Sequence, residues 1–231
     1  MLAQQQLRLC KFEANGYGAA IMMLIGMFDS PFVRRVAVSM KVLGLPFEHA
    51  NWSVGKDFER IRKYNPLGRV PTLITDDGDP LIESAAILDY LDELVGPKRA
   101  LLPRSGVARR SALRLMSIAT GAAEKGVLQI YEGVFRPPEK RHEPWLRRCH
   151  TQMHAALAEL EQVSAARADE QWLVDDTMTQ ADITVVCVVD FLSDAFEFEA
   201  ALYPSLAKLA ARCAERPEFS ATRTRFHTPK T

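Results

Sequence analysis

Three short stretches of the N-terminal half carry residue types that could hold and activate a small anionic molecule. The first, Ser30-Pro31-Phe32-Val33, puts a hydroxyl at the start of a helical pattern. Serine is a favoured N-cap and proline suits the first helical position, so one reading is a plain helix start. The same place offers unpaired N–H groups and the positive end of the helix dipole, both of which favour an anion. A thiol held there ionises below its free pKa of roughly 8.5, and a hydrogen bond donated by Ser30 favours the thiolate further. No His/Asp pattern surrounds Ser30, so its role is that of a donor and not a nucleophile.

The second stretch, Asn65-Pro66-Leu67-Gly68-Arg69-Val70-Pro71-Thr72-Leu73, sets a proline just before a strand pattern, where it forgoes a ladder hydrogen bond. Pro71 is either an ordinary trans residue at a strand start or the second half of a cis Val70–Pro71 bond. The cis form turns the chain and leaves the Val70 N–H and C=O for an extended peptide. The third stretch is Glu83-Ser84, at the opening of the next helical pattern. It reads as a capping pair, or as the seat of a ligand carboxylate with Ser84 as extra donor and Glu83 accepting from an ammonium.

Other candidates carry less chemistry. His150 and His154 stand four residues apart, but no third ligand is close in sequence, and zinc wants three or four; no metal is expected. Thr179 and Asp182 form an acidic capping box, with Met178 and Ile183 placed for a hydrophobic staple, which is a folding role. Arg109-Arg110 and Arg147-Arg148 read as solvated faces. The four cysteines, Cys10, Cys149, Cys187 and Cys213, are widely spaced without a CxxC pair, as expected of free thiols in a reducing compartment.

The elements that must position these groups follow from periodicity. Leu24–Phe28 reads as a strand, Pro31–Leu43 as a helix with Val33, Val36, Ala37, Met40 and Leu43 on one face, and Phe47–Asn51 as a second strand. Phe58–Tyr64 is a short helix. Thr72–Thr75 and Pro80–Ile82 flank the turn-rich Asp76-Asp77-Gly78-Asp79 and form a hairpin, and Ser84–Val95 is helical. The order βαβαββα calls for a mixed sheet covered by helices. Beyond Gly96-Pro97 and Pro103 only amphipathic helices fit, over Ala108–Phe135, Trp145–Ala166, Gln180–Phe196 and Ser205–Glu215.

The chain of 231 residues favours two domains, and its 29 Lys+Arg balance 29 Asp+Glu. A net charge of zero argues against a general nucleic-acid binder. No segment is long and apolar enough to cross a membrane. The run from Ala19 to Phe28 has the length of a signal h-region, but Asp29-Ser30-Pro31 and an amphipathic helix follow it, so it is read as a buried strand. Residues 1–21, with Gln4-Gln5-Gln6 and Asn15-Gly16, show no clear period, and Met22 or Met23 is a natural start; residues 1–22 are taken as an extension of unknown role.

Taken together, Ser-Pro-Phe, Asn-Pro-Leu-Gly-Arg-Val-Pro and Glu-Ser-Ala-Ala-Ile resemble the glutathione site of the cytosolic glutathione transferase superfamily, and the resemblance spans roughly residues 23–227. It implies a thioredoxin-like α/β domain over 23–95, a linker over 96–106 and an all-helical domain over 107–227. It implies glutathione as co-substrate, a small electrophilic second substrate, a homodimer and a cytoplasmic location. In that likeness Ser30 activates the thiol as in theta-like classes, with Phe32 beside it. Val70, before a cis Pro71, pairs with the cysteinyl unit, and Glu83 and Ser84 grip the γ-glutamyl end. Lys56 and Arg69 match basic positions that meet the glycyl carboxylate, and Met116, Ile118, Leu128, Tyr131 and Phe135 lie on the helix that lines the electrophile pocket.

Two departures stand out. Asp29 adjoins Ser30, and a carboxylate there raises a thiol's pKa unless it points away or caps the helix. Serine also stands where glutaredoxins and omega-like transferases carry cysteine, so exchange through a protein thiol is not expected. The same likeness leaves two other functions open. One is a non-catalytic interaction module, as in stringent starvation proteins. The other is a glutathione-dependent isomerase similar to zeta-like maleylacetoacetate isomerases, whose serine–cysteine signature is missing here.

Overall fold

The computed structural model describes residues 21–168, 170–196 and 200–227. Residues 1–20 of the expected extension, Cys10 among them, lie outside the described residues. Strand β1 (Met22–Ile25) starts two residues earlier than its pattern suggests and ends sooner. Gly26, at φ 132°, takes the chain out of the ladder, so Met27 and Phe28 enter a turn in which the Ser30 N–H donates to the Met27 carbonyl at 3.2 Å. Phe28 stacks on His49 (centroids 3.7 Å apart), and His49 Nε2–H donates to the Gly26 carbonyl at 2.7 Å.

Helix α1 (Pro31–Val42) leads to β2 (Phe47–Ala50), short α2 (Phe58–Ile61), β3 (Thr72–Ile74), β4 (Pro80–Ile82) and α3 (Ser84–Val95). The strands lie in the order β2-β1-β3-β4, with β1 parallel to β2 and antiparallel to β3, and β3 antiparallel to β4. Leu24 faces Leu73, which faces Leu81, fixing the register along an apolar row. This is the mixed sheet that the pattern calls for, in the thioredoxin-like form that the resemblance implies.

The rest is helical: α4 (Gly106–Phe135), α5 (Glu143–Ala165), α6 (Gln180–Phe196), α7 (Pro204–Ala214) and a short α8 (Pro217–Ser220) that periodicity does not announce. Helix α6 is buried on every side from Gln180 to Val189, as an apolar helix must be at the centre of a bundle. It packs against α1, α4 and α7. Where it meets α4, a Cβ on Gly126 would stand 2.5 Å from Leu192 Cδ2, so the absent side chain sets the approach.

The α1–α6 contact corrects the amphipathic reading of α1. Its polar side is buried as well: Arg34 pairs with Asp190 at 2.5 Å, Arg35 reaches Thr184 at 3.4 Å, and the Ser39 hydroxyl donates to Gln180 Oε1 at 3.0 Å. Polar residues at helical spacing signal a solvated face unless another helix offers them partners, and α6 does so. No helix of the described residues is long and apolar enough to cross a membrane.

Candidate functional site

Ser30 caps α1 from an extended backbone (φ −74°, ψ 124°), and its Oγ accepts from the Val33 N–H at 3.5 Å. A bond at that limit is weak, and among the described residues the hydroxyl donates to nothing. No acidic residue occupies the first turn of α1; Asp29, just ahead of the cap, brings a carboxyl to that positive end instead. Asp29 is half-buried. Burial pushes its carboxyl above the usual range, while backbone N–H groups of Ser30 and of Asp29 itself, and the nearby His227, pull it back. The carboxylate is thus tied to the backbone at the helix start.

Gly26 joins the first two motifs. A Cβ there would lie 2.5 Å from Val33 Cγ2 and 2.8 Å from Val70 Cβ, so the first turn of α1 and the residue before Pro71 close on a position that only glycine fills. Sequence reasoning passed over Gly26. The available signal was a glycine directly after a short apolar run and before a turn.

The Val70–Pro71 peptide is cis. The loop ahead of it is templated by Asn65, whose side chain is fully buried. Asn65 Nδ2 donates to the Arg69 carbonyl at 2.9 Å and to Thr72 Oγ1 at 3.3 Å, and Oδ1 accepts from the Leu67 N–H at 3.0 Å. The loop can close because Gly68, at φ 62°, sits against the Phe58 ring. Ahead of β3, neither Val70's N–H nor its C=O enters a hydrogen bond among the described residues.

Glu83 and Ser84 begin α3 in an unusual way. Among the described residues Glu83 is the only non-glycine with positive φ (68°, ψ 123°), a conformation that costs on the order of 1–3 kcal/mol. It makes no side-chain cap bond, and no acidic residue stands in the first turn. Arg69 lies 3.5 Å from its Oε1; both groups are more than half exposed, so the pair contributes little stability, but it ties the second motif to the third. Ser84 is buried, and its Oγ accepts from Arg35 Nε at 3.1 Å and Nη2 at 2.8 Å. Arg35 was not foreseen as a site residue, because an arginine inside a helical pattern reads as a solvated face. Burial lowers its pKa to about 10, well above neutrality.

The remaining candidates are dispersed. Phe32 packs half-buried against the core next to Ser30. Lys56 is exposed on the loop after the edge strand β2 and makes no hydrogen bond or ion pair among the described residues, so no contact joins it to the others. On α4, Leu128, Tyr131 and Phe135 are exposed, and the last two rings meet edge to face at 5.1 Å. Partial desolvation raises the Tyr131 pKa and the charge of Arg69 opposes it, which sets this part of α4 near the second motif. Met116 belongs to the core. His154 Nδ1 lies 2.7 Å from the Tyr203 hydroxyl. Cys149, Cys187 and Cys213 are buried free thiols, and burial pushes Cys187 and Cys213 up to about 12, which leaves them unreactive.

Residues 24–99 match the glutathione S-transferase N-terminal domain family and residues 126–217 the C-terminal domain family. A glutathione S-transferase from Methylobacterium radiotolerans, solved with glutathione sulfonate, is 30% identical; the alignment covers 91% of this chain and 98% of that one, with a TM-score of 0.83. One from Methylobacillus flagellatus, solved with glutathione bound, is 26% identical over 87% and 98% of the two chains, with a TM-score of 0.80. The GST-like protein YibF of Escherichia coli K12 is 29% identical over 74% of this chain and 82% of its own.

Proposed function

The chain belongs to the glutathione S-transferase family, and from that premise we propose that it binds reduced glutathione and directs its thiolate at small hydrophobic electrophiles. One observation carries the reading. Gly26 lets the first turn of α1, which Ser30 caps, close against Val70, whose backbone is unpaired among the described residues, and Arg69 pairs with Glu83, the neighbour of Ser84.

Each group has a task in this reading. Ser30 donates to the sulfur at the positive end of α1 and lowers the thiol's pKa. Val70 pairs through its N–H and C=O with the cysteinyl unit as a strand would. Ser84 and the N-terminal amides of α3 take the γ-glutamyl carboxylate, and Glu83 accepts from the ammonium. Arg69 and Lys56 supply charge for the glycyl carboxylate, and Phe32 fixes the turn that carries Ser30. Leu128, Tyr131 and Phe135 form the apolar wall for the electrophile. The sulfur's electron pair forms the new carbon–sulfur bond while the electrophile's leaving group departs with its own pair. The sheet-bearing part, residues 23–95, holds the tripeptide, and the helical part, residues 107–227, shapes the second pocket. The working form is a homodimer in the cytoplasm.

Thermal unfolding with and without millimolar glutathione tests the site. A ligand at a hundred times its Kd stabilises the folded state by about 2.7 kcal/mol, so the melting temperature rises by several degrees. Turnover of an activated aryl halide then tests the chemistry. An unchanged melting temperature would leave the fold as a non-catalytic interaction module.

A further inference from the structure

We infer that Arg35 is the positioning residue of the carboxylate seat: it fills both acceptor sites of the Ser84 hydroxyl, turns its proton outward, and stands as the buried counter-charge of the ligand's γ-glutamyl carboxylate. The inference rests on the reading that Ser84 meets that carboxylate.

A serine hydroxyl has one proton to give and two lone pairs to receive with. Arg35 Nε and Nη2 both donate to Ser84 Oγ, at 3.1 and 2.8 Å, so both lone pairs are taken. Among the described residues the Ser84 hydroxyl donates to no acceptor. Its proton is left for an acceptor brought from outside, and at the first residue of α3 that acceptor is an anion. A hydroxyl free to rotate could offer a lone pair instead; one gripped by a guanidinium fork is a donor only.

The charge balance leads to the same place. Neighbouring Arg34 and Arg35 are both almost fully buried, yet Arg34 has Asp190 at 2.5 Å whereas no carboxylate lies within 4 Å of Arg35 among the described residues. The other groups facing Arg35 are the Thr184 hydroxyl at 3.4 Å and the Cys187 thiol, which burial keeps neutral. Glu83 is near enough to act on Arg35 electrostatically but pairs with Arg69 on the exposed side. A buried cation with no counter-charge in contact is costly, and a carboxylate seated on Ser84 supplies that charge.

The bond to Thr184 suggests a rival role, in which Arg35 only braces α1 against α6. The experiment separates the two by titrating the full-length wild type, R35Q, R35K, S84A, R35Q/S84A and T184V with glutathione and with an analogue whose γ-glutamyl α-carboxylate is an amide. R35Q should raise the Kd and KM for glutathione roughly tenfold, the loss typical of a charge-assisted bond. It should leave kcat at saturation, the pH profile of the bound thiol and the amide's affinity unchanged. The loss should vanish in the S84A background, R35K should recover part of it, and T184V should bind glutathione within about twofold of the wild type.

Equal losses for glutathione and the amide, additive losses in the double variant, or a T184V defect as large as that of R35Q would each overturn the role. Should R35Q fail to fold, R35K decides. A lysine offers one bond instead of a fork, so a several-fold loss for glutathione alone supports the role, and wild-type affinity for both ligands defeats it. A wild type that binds no glutathione refutes the proposed function itself; a wild type that binds, beside variants that bind equally well, refutes only Arg35.

Discussion

The starts of α6 and α3 have the same unpaired amides and the same dipole, and the chain finishes them in opposite ways. At α6, Asp182 turns back and accepts from the Thr179 N–H at 2.8 Å, the Thr179 hydroxyl at 2.9 Å and the Leu173 N–H at 2.8 Å. The Thr179 hydroxyl in turn accepts from the Ala181 N–H at 3.3 Å. This terminus holds its own anion, fully buried. At α3 no acidic residue stands in the first turn, Glu83 caps nothing, and the group beneath is the cation Arg35. On the proposed reading, what separates a helix start that serves folding from one that serves binding is whether a carboxylate is already built into it.

Removing the built-in anion should produce the largest effect. Asp182→Ala leaves the Leu173 and Thr179 N–H groups buried without acceptors, each costing about 1–3 kcal/mol, for a total of roughly 3–5 kcal/mol in a denaturant titration. Burial pushes the Asp182 carboxyl above its usual range despite the bonds from Leu173 and Thr179, so its ionisation opposes folding. Its contribution is therefore present in full below the unfolded pKa and declines as pH rises toward the folded one. The stability gap between wild type and Asp182→Ala should widen on acidification through the carboxylate range. Glutathione affinity per folded molecule should not move; a parallel loss of affinity would break the division between a closed terminus and an open one.

Ser30 offers the converse test, because it is a cap by position and a donor by proposal. Ser30→Ala should lower kcat on the order of a hundredfold, as removal of one preorganised donor does. The pKa of the bound thiol should rise toward roughly 8.5. Stability should fall by less than about 1 kcal/mol, because the cap bond to Val33 is 3.5 Å long. Unchanged turnover with a full capping loss would make Ser30 a structural residue like Thr179.

Gly26→Ala tests how closely the open site is drawn together. The new methyl meets Val33 and Val70 inside contact distance at φ 132°, so unfolding free energy should drop by about 1–3 kcal/mol and glutathione affinity should drop with it. Wild-type affinity in this variant would mean that Val70 and the first turn of α1 do not act as one site.

What could be read from the sequence follows the same division. The βαβαββα order, the hairpin around Gly78 and the acidic capping box were legible because each is local: a period, a turn composition, an i,i+3 pair. Ser30, Val70, Glu83 and Ser84 were legible as motifs. Arg35 and Asn65 were not, because their meaning lies in partners far along the chain or across a loop. Arg35 bonds Ser84 on another helix, and Asn65 reads as a turn residue until its bonds to the Arg69 carbonyl and Thr72 are seen. Gly26 offered only a glycine after a short apolar run, because an absent side chain does not show which neighbours close on it. Lys56 differs from both, a charge matched by position alone that makes no hydrogen bond or ion pair among the described residues.

The smallest effect has the most telling sign. Glu83 holds φ at 68° with a side chain that caps nothing, so its backbone is strained without local return. In Glu83→Gly that conformation carries no steric penalty, and the only bond lost within the protein is the exposed pair with Arg69, which contributes little. The variant should therefore unfold at slightly higher denaturant, by about 0.5–1 kcal/mol, while its affinity for glutathione falls because the acceptor for the ammonium is gone. Equivalent glycine substitution at Thr179 should show no such gain, because the residue it removes is fully bonded. A Glu83→Gly protein that loses stability would show that the strain at α3 is compensated within the fold, and the open terminus would then owe its form to packing and not to a ligand.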